Sequence, residues 1–77
     1  MYVSEMKVGS SGEVKAIQAP SMIKKRLLAM GLTPGTPFKI AKVAPMGDPI
    51  ELSVRGYRLS LRKSEASCLE AKGIGND

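Results

Sequence analysis

Seventy-seven residues hold one small domain, and a chain of this size buries only about 60% of the surface its unfolded form exposes. Hydrophobic residues at 43% are too many for a disordered tail, and a net charge of +5 suits an acidic partner: nucleic acid, an anionic membrane surface or an acidic protein face. One cysteine, Cys68, and no histidine exclude a disulfide-stapled scaffold, a zinc finger and catalysis by histidine.

The elements follow in chain order. Met1–Lys7 lacks a basic start followed by an apolar block, and no apolar run approaches the about 20 residues of a bilayer span. The expected location is therefore the cytosol, with Cys68 reduced and no insertion into the membrane. Ser10-Ser11-Gly12 reads as a turn, and Glu13 to Ile17 as a strand in which Val14 and Ile17 break strict alternation. Ser21 is predicted to cap a helix over Met22 to Met30. Gly31 is placed for a left-handed C-cap, Leu32 for the accompanying apolar contact, and Pro34 for a stop. Pro34-Gly35 is a turn signal. Thr36 to Ala44 is a strand with Phe38 and Ile40 on one face, and Val43 falls out of phase with them, as a bulge or sharp bend requires.

Pro45 to Pro49 is a loop. Ile50 to Lys63 reads as a hairpin about Arg55-Gly56, pairing Val54 with Tyr57, Leu52 with Leu59 and Ile50 with Leu61 on the apolar face. A turn over Lys63 to Ala66 leads to a last strand, Ser67 to Lys72, with Cys68 and Glu70 on one face and Leu69 and Ala71 on the other. The count predicts a mostly β fold: a small SH3-like barrel of about five strands, with one short helix between the first and second, because a chain this short removes its sheet edges best by curling. The domain is expected over residues 1–72, with a flexible tail over 73–77.

Three blocks then become informative together: Arg26-Leu27-Leu28-Ala29-Met30-Gly31-Leu32-Thr33-Pro34-Gly35-Thr36, Pro45-Met46-Gly47-Asp48-Pro49, and Gly56-Tyr57-Arg58-Leu59-Ser60-Leu61-Arg62-Lys63-Ser64-Glu65-Ala66. In this order and spacing they closely resemble the FeoA family, ferrous iron transport protein A, over nearly the whole chain. The resemblance implies a cytosolic, non-enzymatic SH3-like module of bacterial ferrous iron uptake. The partner it implies is FeoB, a membrane permease with a cytosolic GTPase domain, whose transport the module would modulate. Similar domains close metal-dependent repressors, but this chain has no DNA-binding portion and resembles the stand-alone form. The lead carries Met6 and Val8 where a more leucine-rich start is expected.

Candidate partner-binding residues are Lys24, Lys25, Arg26, Leu28, Arg58 and Arg62. On a helix, Lys24 and Lys25 fan away from a core side defined by Ile23, Leu27 and Met30. Leu28 is predicted to project between them on the exposed side, an apolar anchor with a basic rim. Arg26 falls within the apolar arc, its stem packed and its guanidinium at the edge; an arginine supplied in trans could also stabilise phosphoryl charge. Arg58 and Arg62 share the outer face of the hairpin, near Ser53 and Glu51. With three aromatics in all, neither a polyproline groove nor stacking platforms for single-stranded nucleic acid are expected. A nucleic-acid-binding SH3-like protein remains the alternative class, and weak self-association is compatible with the pattern. No cofactor and no tight iron site are expected. Cys68 with Glu70, extended by Glu65, is the one constellation that could hold a transition metal weakly.

Overall fold

The computed structural model describes residues 1–75. Five strands form one antiparallel sheet: β1 (Ser11–Ile17), β2 (Pro37–Val43), β3 (Ile50–Val54), β4 (Tyr57–Leu61) and β5 (Leu69–Gly75), in the order β4-β3-β2-β1-β5. Helix α1 (Ser21–Ala29) joins β1 to β2, and the single turn α2 (Lys63–Ala66) joins the two edge strands, β4 and β5. This is the mostly β architecture the sequence predicts, with the longer helix between the first two strands.

Of three register shifts in the sheet, one lies at the Ser11/Gly12 end of β1 and two let the sheet coil around one core. Val14 lies opposite Ala71 and Ala16 opposite Glu70, which leaves Lys15 unmatched, so Val14 and Ile17 both turn inward despite their odd spacing. In β2, Ile40 faces Leu52 and Lys42 faces Glu51, leaving Ala41 extra. Phe38 and Ile40 are buried, and Val43 packs against the same core. The β3–β4 register is the predicted one throughout, from Val54 with Tyr57 to Ile50 with Leu61.

The chain ends differ from expectation. β5 runs past Lys72, with Gly73 paired to Gly12 and Gly75 to Ser11, so the predicted tail over 73–77 begins inside a strand; Asn76 and Asp77 lie outside the described residues. The lead, to which the sequence pattern assigns no element, forms a 3-10 turn over Val3–Glu5 that buries Val3 fully. It also covers the outer edge of β5: the Ala71 N–H donates to the Met1 carbonyl at 2.7 Å, and Tyr2 bridges Glu70.

Candidate docking surface

The helix α1 begins one residue earlier than predicted. Pro20, extended at φ −56° and ψ 151°, occupies the cap position and its carbonyl accepts the Lys24 N–H at 2.9 Å. Ser21 is thus the first helical residue, and no side chain caps the start.

The helix end follows the sequence closely. The Gly31 N–H donates to Leu28 O at 3.0 Å and the Leu32 N–H to Leu27 O at 3.2 Å, the paired bonds of a Schellman cap. Leu27 and Leu32, its apolar pair, are both fully buried. Gly31 holds φ +95°, which an L side chain rarely adopts. The next turn runs over Thr33 to Thr36, with Pro34 second, Gly35 third at φ +91°, and the Thr36 N–H closing on Thr33 O at 3.0 Å. From the far end of the sheet the Tyr57 hydroxyl donates to Met30 O at 2.9 Å, satisfying another free carbonyl of the helix end. The Tyr57 ring, expected as an apolar partner of Val54, is 42% exposed because its hydroxyl reaches out to α1.

Leu27 is the one fully buried side chain of α1; Ile23, Leu28 and Met30 pack against the core half-buried, and Lys24 and Lys25 are exposed. Leu28 is therefore not the free anchor the helical wheel suggests. The end of β1 and the Pro34 turn come up beside it. With Lys15, Ala16, Ile17, Gln18, Lys24 and Pro34 it lines a groove of about 380 Å³ between β1 and α1. The groove has an apolar floor and a lysine on each element, Lys15 at the β1 bulge and Lys24 on α1.

Arg26 also departs from expectation. Its side chain is 65% exposed rather than packed, and Nη1 lies 3.3 Å from Oε2 of Glu65, whose own side chain is 9% exposed. The other oxygen of Glu65 accepts the Arg62 N–H at 2.8 Å, which caps α2. The pair ties α1 to α2, a link between distant segments that helical spacing could not reveal. Glu65→Ala is expected to cost about 2 kcal/mol, because a cap is lost and a part-buried N–H is left bare. Arg26→Ala should cost less than about 1 kcal/mol, as its head is solvated; urea unfolding of both variants checks the ranking.

Arg58 lies on the outer face of β4, bonded through Nη1 to Glu51 Oε1 at 2.6 Å. Arg62 does not share that face: β4 stops at Leu61 and Arg62 turns into the cap of α2. Nor do Cys68 and Glu70 share a strand face, since β5 starts at Leu69. The Cys68 thiol donates to Ser64 O at 3.4 Å, Glu70 pairs with Lys15 at 3.6 Å, and Glu65 is held by Arg26. Among the described residues no three potential metal ligands come together, and no helix is long and apolar enough to cross a membrane.

The model of the FeoA domain family matches residues 1–72. The chain belongs to the FeoA family. FeoA from Chlorobium tepidum superposes on it with a TM-score of 0.90 at 35% identity, covering 100% of this chain and 73% of that one. FeoA from Stenotrophomonas maltophilia, solved with zinc and described as a prokaryotic SH3 domain protein, gives a TM-score of 0.81 at 29% identity over 94% and 89% of the two chains. A fusion of Fe(2+) transport protein A with the Fe(2+) transporter FeoB from Porphyromonas gingivalis is 27% identical over the whole chain, which spans 9% of that protein. The SH3-like fold and the link to ferrous iron transport thus stand on FeoA relatives.

Proposed function

We propose that this FeoA domain is a non-enzymatic accessory module that docks on the cytosolic side of a FeoB-type permease and modulates ferrous iron transport. The observation that carries the reading is the surface of α1 beside the groove. The helix, Ser-Met-Ile-Lys-Lys-Arg-Leu-Leu-Ala, contains no acidic residue, so no i,i+4 carboxylate offsets Lys24 or Lys25. Positive charge that the helix does not use for its own stability is left to steer an acidic partner, while the floor of Leu28, Ile17 and Pro34 accepts an apolar side chain. The P. gingivalis fusion supports the choice of partner, because fusion holds the two activities at high effective concentration. Arg26, engaged with Glu65, is better suited to hold α1 in place than to reach a phosphoryl group in trans.

Lys24→Glu with Lys25→Glu tests the reading without touching the core. Both side chains are exposed, so the melting temperature should move little. Affinity for the purified permease in detergent, measured by biolayer interferometry, should fall more than about a hundredfold, since like charges facing across an interface cost several kcal/mol. An affinity equal to that of the parent protein would refute docking through α1.

A further inference from the structure

A second basic surface lies on strands that share no residue with the groove. The register sets Lys39, Ser53 and Arg58 side by side across β2, β3 and β4, and sets Lys42, Glu51 and Ser60 in the next row. All six alternate with buried neighbours or lie opposite such positions, so they face outward. Lys39 and Lys42 have no carboxylate within ion-pair distance among the described residues, and the one acid of the two rows, Glu51, is taken by Arg58. Arg55 adds an exposed cation at the hairpin tip. Between the cations stand the hydroxyls of Ser53 and Ser60 and the Glu51 carboxylate that Arg58 holds. The surface therefore offers positive charge and small hydrogen-bonding groups on a sheet, with no apolar anchor and no ring.

We propose that this outer face of β2–β4 binds the anionic phospholipid headgroups of a membrane surface, holding the domain beside the bilayer without insertion. The complement is a charged plane: the unpaired Lys39 and Lys42 of β2 and Arg55 at the hairpin tip can each approach a headgroup, at about 1 kcal/mol apiece within a Debye length. Nucleic acid is the less suited anion. Phe38 is buried, and Tyr2 and Tyr57 lie outside the two rows, so this face carries no pair of rings to stack bases, and no helix to enter a major groove. The inference is independent of the permease docking proposed above, because the test contains no permease.

Sedimentation with vesicles made of equal parts phosphatidylglycerol and phosphatidylcholine, against phosphatidylcholine alone, tests it. The protein should partition onto the anionic vesicles only, and should be released when salt shortens the Debye length to about 3 Å. Lys39→Gln with Lys42→Gln should weaken partitioning about thirtyfold, whereas the same charge loss made at Lys63 on α2 and Lys72 on β5, outside these three strands, should weaken it far less. All four side chains are exposed, so folding is retained. Equal loss in both double variants would reduce the effect to net charge and overturn the assignment of the face. Binding to a duplex DNA oligonucleotide at a salt where vesicles fail to bind would overturn it in favour of nucleic acid. Absence of binding to anionic vesicles at low salt would overturn it outright.

Discussion

Replacing Gly31 by alanine is expected to lower stability by about 3 kcal/mol, a drop in melting temperature on the order of 10–20 °C for a domain this small. Two costs combine. The residue sits at φ +95°, where a Cβ crowds the backbone for about 1–2 kcal/mol. That Cβ would also stand 2.5 Å from the Tyr57 hydroxyl, which must shift and so weaken or lose its bond to Met30 O. The two costs can be separated. Tyr57→Phe alone should cost about 1 kcal/mol. In its background Gly31→Ala should cost only the backbone share, since the nearest remaining ring carbon is 3.8 Å away. A double-mutant cycle by urea denaturation that came out additive would mean the hydroxyl and the glycine do not meet.

The same corner shows what sequence could and could not reveal. The Gly31-Leu32 cap, the Pro34-Gly35 turn and the hairpin about Arg55-Gly56 are local: each follows from backbone demands within a few residues, and each is found where predicted. The slip at Val43 is legible for the same reason, because a bulge at Ala41 has to appear as a break in alternation. The broken alternation of Val14 and Ile17 signals the bulge at Lys15 in the same way.

The failures are long-range. Helical spacing orients Leu28 about the axis of α1 but cannot say that the end of β1 and the Pro34 turn will rise beside it. Arg26 reads as a packed stem because nothing near it in sequence announces Glu65, and Tyr57 reads as apolar because its hydrogen-bond partner lies in another element. The burial of Val3 has no sequence signal, because a three-residue turn carries too short a pattern to show periodicity. For the docking surface, the lysines were legible from composition, whereas the groove between them exists only once β1 and α1 are packed together.

Leu27→Ala should be the most damaging single change in α1. The side chain is fully buried, and it is the only one of its helix that is. Truncating a buried leucine costs about 2–5 kcal/mol, against a total of about 4–12 kcal/mol for a chain of this length. Ile23, Leu28 and Met30 are only half-buried, and the Tyr57–Met30 bond and the solvated Arg26–Glu65 pair are weaker ties of α1 than a buried leucine. Hydrogen exchange should therefore show the amides of α1 losing protection first, while those of the β3–β4 hairpin, which has its own cross-strand pairs, persist longer. Leu28→Ala should cost about 1 kcal/mol in stability, as a half-buried leucine surrenders less area. The contrast decides how binding data are read. If Leu27→Ala abolishes permease binding, unfolding of α1 suffices as the cause. If Leu28→Ala does so with the helix still protected, the groove floor itself is the contact. A Leu27→Ala variant as stable as its parent, with α1 amides unaltered, would show that something other than this leucine fastens the helix.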